Sequence, residues 1–208
     1  MIKCIIFDCD GTLVDSEFLA NLALARLLEQ YDVVLDPAEL MSRFRGWKLA
    51  EILDTIQKEA DISLPSNFVT AYRQLFSKLS REQLEPIEGV KQTLDQIQLP
   101  MCVASSGPMH KIEESLRLTE LDHYFDDLLF SAYDINLWKP DPGLFLHAAQ
   151  MMGAKPEECL VVEDSKVGVQ AALRAGMQAV YFSKNPEPEL VGAAYHIETM
   201  PQLLDLLV

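Results

Sequence analysis

The sequence predicts an α/β protein, a doubly wound parallel sheet into which an all-helical block is inserted after the first strand. Three observations carry this. Short apolar runs alternate with amphipathic helical patterns over most of the chain, one early stretch has helical patterns only, and four clusters of polar residues follow apolar runs. Alternating strands and helices build parallel sheets covered on both faces, because each crossover between parallel strands needs a helix's length of chain.

The first strand is IKCIIF (2–7), a continuous apolar run of strand length, as a strand buried on both faces requires. The helical block follows. SEFLANLALARLLEQY (16–31) has helical length and spacing. DPAELMSRFRG (36–46) opens with Asp36 as N-cap, Pro37 at the first helical position and Glu39 at the third. WKLAEILDTIQKEA (47–60) and SNFVTAYRQLFSKLSREQL (66–84) complete the block. Strands and helices then alternate: helix KQTLDQIQ (91–98), strand MCVA (101–104), helix MHKIEESLRL (109–118), strand LLF (128–130), helix PGLFLHAAQMMG (142–153), strand CLVV (159–162), helix KVGVQAALRAG (166–176) and strand AVYF (179–182). Gly153 and Gly176 stand where helices stop. The chain thus divides into a core, residues 1–14 and 85–208, and a helical domain, 15–84. Insertion directly after the first strand suits a cap over a site at the sheet edge.

Of the 208 residues 49% are hydrophobic and 24% charged, enough apolar material for a real core in one domain carrying an insertion. No run reaches the ~18 apolar residues of a membrane span, and MIKCIIFDCD lacks the shape of a signal peptide, so a cytoplasmic protein is expected. A net charge of −15 argues against nucleic acid and anionic membrane as principal partners. An anionic substrate would need its own local cations. Cys4, Cys9, Cys102 and Cys159 form no C-x-x-C pair and read as small buried hydrophobes in a reducing compartment. The four histidines have no metal-ligand spacing. Trp47 and Trp138 read as core residues. A monomer acting on a small molecule is expected.

The polar clusters are DCDGT (8–12), SSGP (105–108), KPDP (139–142) and EDS (163–165). In open parallel sheets ligands bind beyond the C-terminal ends of the strands. SSGP joins a strand to a helix whose free N–H groups suit a phosphate, with the Ser105 hydroxyl beside them; plain N-capping by Ser105 or Ser106 is the alternative. Lys139, restrained by Pro140, is either an anion contact or a solvated loop residue. Asp141 and Pro142 read as N-cap and first residue of the next helix. Asp8, Asp10, Glu163 and Asp164 bring carboxylates to neighbouring strand ends, which is unfavourable without a compensating cation or protons. Few, hard oxygen ligands suit Mg²⁺ completed by waters and a phosphate oxygen. A calcium loop starting at Asp8 would need Gly and Glu where Leu13 and Leu19 stand. The parts fit phosphoryl transfer: Asp8 attacks to form an aspartyl-phosphate, Asp10 moves the protons, and Mg²⁺ and Lys139 neutralise charge.

In order, the clusters resemble the four motifs of the haloacid dehalogenase-like (HAD) superfamily: DCDGTLVDSE the first, Ser105 the second, Lys139 in WKPDP the third, VVEDS the fourth. The similarity covers essentially the whole chain and points to the β-phosphoglucomutase-like branch, whose phosphatases and mutases have a Rossmann-like core and a helical cap. The resemblance implies Asp8 as nucleophile and Asp10 as acid and base. It implies Mg²⁺ held by Asp8, the backbone carbonyl of Asp10 and Asp164, with Glu163 in or beside the shell, and a phosphoryl group bound by Ser105, Ser106 and Lys139. FDCDGTLVDSE, RFRGWKL, PMCVASSGP and HYFDDLLFSAYDINLWKPDP are similar to the 6-phosphogluconate phosphatases of that branch. A Mg²⁺-dependent phosphatase of small phosphorylated sugars or sugar acids is therefore expected, 6-phosphogluconate foremost. Arg43, Arg45 and Lys48 of RFRGWK either contact the substrate, Arg45 and Lys48 above all, or complement the C-terminus of a helix ended by Gly46. The sister mutases usually carry a His in the first cap segment, and SEFLANLALARL has none; a phosphomutase or a broad sugar-phosphate phosphatase is the alternative. A phospho-accepting signalling domain also combines Asp, an acidic pair, Ser or Thr and Lys. It places the acidic pair before the acceptor, whereas here the pair comes last, a second Asp follows the first and a helical block is inserted, all of which favour an enzyme.

Overall fold

The computed structural model describes residues 1–44, 47, 49–184, 190 and 195–207. Six strands among them, β1 (Cys4–Phe7), β2 (Met101–Ser105), β3 (Leu129–Ser131), β4 (Cys159–Glu163), β5 (Gln178–Phe182) and β6 (Tyr195–Ile197), form one parallel sheet in the order β3-β2-β1-β4-β5-β6. This is the doubly wound, Rossmann-like order, with β1 at the centre. All four β1 residues are buried, which is why the run is continuously apolar rather than alternating. Cys4 and Ile6 pack on one face with Cys102, Ala104, Cys159 and Val161. From the other face Phe7 meets Phe125 edge-on, ring centres 6.0 Å apart. All four cysteines are free and buried, the small-hydrophobe role expected of them.

The chain forms two compact units, Met1–Asp15 with Glu85–Val208, and Ser16–Leu84. In the second, α1 (Glu17–Leu28), α2 (Pro37–Arg43), α3 (Leu49–Ala60) and α4 (Phe68–Gln83) enclose their own core, which includes Leu24, Leu28, Leu40, Phe44, Ile56 and Phe68. The predicted cap of α2 is formed: Asp36 Oδ1 accepts from the N–H groups of Ala38 and Glu39 at 2.9 and 3.0 Å, with Pro37 at the first helical position. In the first unit α5 (Val90–Leu94), α6 (Met109–Leu118), α7 (Ala132–Ile135), α8 (Gly143–Met151) and α9 (Lys166–Arg174) connect the strands. Among the described residues no helix is long and apolar enough to cross a membrane.

The differences from expectation have local causes. β6 escapes sequence reading because it is an edge strand of three residues, two of them exposed, so no apolar run marks it. α7 is a single turn capped by Ser131, too short for periodicity to register. α8 starts at Gly143, and Asp141 Oδ1 accepts from the Gly143 N–H at 2.7 Å, which is the bond an N-cap residue makes even though the helix boundary lies one residue later. Neither tryptophan is a core residue. Trp47 and Trp138 are exposed in loops, edge-on to Phe44 and Tyr133 respectively. The loops carry these rings outward, away from the apolar layers that helices and strands close.

Asp36→Ala should remove about 1 kcal/mol of stability, lowering the melting temperature by roughly 2–4 °C in a chain of this size; a thermal melt reads this directly.

Candidate active site

Strand ends bring the predicted residues together. The Asp8 N–H donates to the Val162 carbonyl at 2.9 Å, so the ladder between β1 and β4 runs on past Phe7 and sets Asp8 beside the end of β4. There Glu163 is the last residue of the strand and Asp164 the next. Lys139 enters from the loop between α7 and α8. Its Nζ lies 2.5 Å from Asp8 Oδ1 and 2.6 Å from Glu163 Oε1, and the three side chains are 3%, 9% and 1% exposed. A solvated loop lysine is thereby excluded. The ammonium also sits over the Phe145 ring, 5.0 Å from its centre.

Glu163 is fully engaged. One oxygen holds Lys139; the other accepts from the N–H and the hydroxyl of Ser165, both at 2.8 Å. Ser165 in turn accepts from the Gly168 N–H in the first turn of α9. The carboxylate presses so closely on that turn that a Cβ at position 168 would lie 1.9 Å from it. Asp164 is seated similarly. Thr12 donates to its Oδ1 at 3.4 Å, and a Cβ on Gly11, whose φ is +80°, would stand 2.3 Å from its Oδ2. Glycine at 11 therefore serves both the turn after Asp10 and the close approach of Asp164.

Asp8, Glu163 and Asp164 each offer an oxygen within 4.8 Å of the others. Burial pushes the Asp8 carboxyl up to about 7 against the pull of Lys139, and Glu163 and Asp10 add to the rise. Burial works against the Lys139 ammonium too, yet Asp8 and Glu163 hold it well above its usual range. Three buried carboxylates against one buried ammonium form a site short of positive charge, and an all-oxygen donor set of this kind fits a hard divalent cation.

Asp10 stands apart from that group. Its carboxylate meets Lys111 of α6. Lys111 is the functional candidate that sequence reading passes over. The signal was available: it lies in the first turn of the helix that follows SSGP. Ser105, at the end of β2, is buried, and its Oγ accepts from the Gly107 N–H at 3.0 Å. Neither Ser105 nor Ser106 caps α6, which starts at Met109 with Pro108 in the cap position. Ser106 is half-buried. Arg45 and Lys48 lie outside the described residues.

Gly168→Ala should displace the Glu163 carboxylate, loosen Lys139 and cost about 1–3 kcal/mol in chemical denaturation, as overpacking in a filled site does.

The chain as a whole is similar to known proteins. Residues 2–176 fit the family model described as haloacid dehalogenase-like hydrolase. The chain is 40% identical to the 6-phosphogluconate phosphatase of Escherichia coli K12 over 97% of its length and 94% of that protein's. It is 32% identical to a phosphorylated carbohydrates phosphatase of Thermotoga maritima, over 86% and 84% of the two chains. Among solved structures, a conserved haloacid dehalogenase-like protein of unknown function from Agrobacterium tumefaciens superposes with a TM-score of 0.90 at 32% identity, covering 100% of this chain and 98% of that one. Enzyme rather than signalling domain is the class these matches carry: the chain belongs to the haloacid dehalogenase-like hydrolases.

Proposed function

We propose that the protein is a Mg²⁺-dependent phosphatase of small phosphorylated sugars or sugar acids, with 6-phosphogluconate the leading substrate and an aspartyl-phosphate on Asp8 as intermediate. The observation that carries this reading is Asp8 itself, a buried carboxylate 2.5 Å from the buried Lys139 at the C-terminal end of the central strand.

Asp8 attacks phosphorus, forming a P–O bond as the bond to the sugar oxygen breaks, and Asp10 gives that oxygen its proton. Asp10 then takes a proton from the water that attacks the phosphoenzyme, so that inorganic phosphate leaves and the Asp8 carboxylate is restored. The Lys139 ammonium and the Ser105 hydroxyl hold phosphoryl oxygens, with Ser106 beside them. Asp8, Asp164 and the Asp10 backbone carbonyl are assigned to hold the metal. Glu163, with both oxygens committed to Lys139 and Ser165, stands beside the metal and orients the lysine. Bound there, Mg²⁺ would neutralise charge on the phosphoryl oxygens and lessen their repulsion of the nucleophile.

The substrate class is supported by the relatives that carry the names 6-phosphogluconate phosphatase and phosphorylated carbohydrates phosphatase. Hydrolysis rather than mutase chemistry is supported by the absence of His from 16–31. Arg45 and Lys48 are assigned to the substrate's carboxylate or hydroxyls on the strength of the sequence. Four unpaired, buried cysteines support a reducing, cytoplasmic location.

A phosphate-release screen over sugar phosphates and phosphorylated sugar acids in Mg²⁺ tests the reading. The highest kcat/KM is expected for 6-phosphogluconate, and equal rates across the panel would overturn it as the dedicated substrate. Asp8→Asn should keep the circular dichroism of the fold and release no phosphate; wild-type-like turnover in that variant would remove the nucleophile from Asp8. Mg²⁺ at about a hundred times its dissociation constant should stabilise the wild type by about 2.7 kcal/mol and leave the melting temperature of Asp164→Asn unmoved.

A further inference from the structure

We propose that Lys111 is a positioning residue for proton transfer: its ammonium fixes the Asp10 carboxylate in one orientation beside the phosphoryl site. The inference rests on the phosphatase reading above and adds to it a residue that none of the four sequence clusters contains.

The geometry is specific. Lys111 Nζ lies 2.9 Å from both oxygens of Asp10. The terminal torsion of an aspartate is broad and left to itself the carboxylate plane turns freely; an ammonium shared equally by both oxygens removes that freedom through two charge-assisted hydrogen bonds. The contact is not a by-product of neighbouring sequence, since the two residues are 101 positions apart. It exists because the loop after β2 folds against the loop after β1.

That loop is itself secured. Gly107 donates to Ser105 Oγ, and its carbonyl accepts from Ser131 Oγ at 2.7 Å, tying the ends of β2 and β3 to the start of α6. A Cβ on Gly107 would stand 3.4 Å from Ser105 Oγ, 3.7 Å from the Lys111 stem and 3.8 Å from Asp10 Oδ2. The phosphate-side serine, the acid and the lysine therefore surround one point, and Lys111 is built from the same turn that sets Ser105. The pair is also open to solvent, at 32% and 29% exposure. Ion pairs this exposed add little to folding stability, so the contact can be broken without unfolding the chain. Proton donors act only from within hydrogen-bond reach in a defined direction, and small misplacements of a reacting group cost up to about a hundredfold in rate.

Orientation of Asp10 matters most when the leaving oxygen needs a proton. A sugar alkoxide does; p-nitrophenolate does not. We would compare wild type, Lys111→Met and Lys111→Arg on the best sugar phosphate and on p-nitrophenyl phosphate. Lys111→Met should lose roughly 10- to 100-fold in kcat on the sugar phosphate, with KM within about twofold. Its pre-steady-state burst of p-nitrophenolate, which reports phosphorylation of Asp8 alone, should stay within about threefold of wild type. Lys111→Arg should recover most of the lost turnover. An equal fall in burst rate and sugar-phosphate turnover, a rise in KM at unchanged kcat, or an indifferent Lys111→Met would each overturn the proposal. If Lys111→Met fails to fold, Lys111→Gln decides by the same ratio of the two rates. Wild type that releases no phosphate from any ester would overturn the phosphatase reading and this inference with it, whereas an active wild type with an indifferent Lys111→Met overturns the inference alone.

Discussion

An ammonium buried to 3% exposure between two carboxylates is the constraint on which the centre of this molecule depends. Neither Lys139 nor its partners could be stripped of water alone, and breaking such a set by removing one member costs about 3–5 kcal/mol. The trio can form only if β1 and β4 are neighbours, if the ladder between them runs on to Asp8, and if the α7–α8 loop turns inward. Each further detail of the site follows from keeping the carboxylates still. Ser165 takes the free oxygen of Glu163, the side chain is omitted at Gly168 to make room, and Thr12 with Gly11 seats Asp164.

Two aspartates separated by one residue thereby meet different surroundings. Asp8 points into a buried, densely charged site where burial drives its carboxyl upward and an internal lysine pulls it back. Asp10 points toward a half-open pair with Lys111. The division matches the chemistry proposed for each: a nucleophile benefits from desolvation and a fixed cation, and a proton carrier must exchange protons with a leaving group and with water. One intervening residue, the buried Cys9, is enough to send the two side chains to different elements.

Much of this was readable from the residues. Five strands could be read from apolar runs because a parallel sheet covered on both faces demands them, and the clusters after four of those runs could be read because parallel strands all end on the same side. What was lost had no such signature. YHI is half exposed and looks like loop; AYDI is one turn; Trp138 looked like core because a large ring is apolar in any scale, yet the loop that delivers Lys139 turns the ring out. Lys111 was passed over for a different reason. In MHKIEESLRL its place in the first turn after SSGP is a hint, but its pairing with Asp10 follows only once the loop before it is known to fold against Asp10.

The central position of β1 has a bearing on how the chain reaches this state. Ile5 of β1 is made well before its partners in the sheet, Met101 and Leu160. Ser16–Leu84, by contrast, is a self-contained unit of local helical contacts. During synthesis from the N-terminus that unit has its whole sequence in hand first, while CIIF waits as an unpaired, fully apolar strand edge. A nascent chain that has not yet made β2 and β4 thus carries an apolar segment without its sheet partners, next to Asp8, the nucleophile proposed above. β1 is paired along both edges only once β4 has been made.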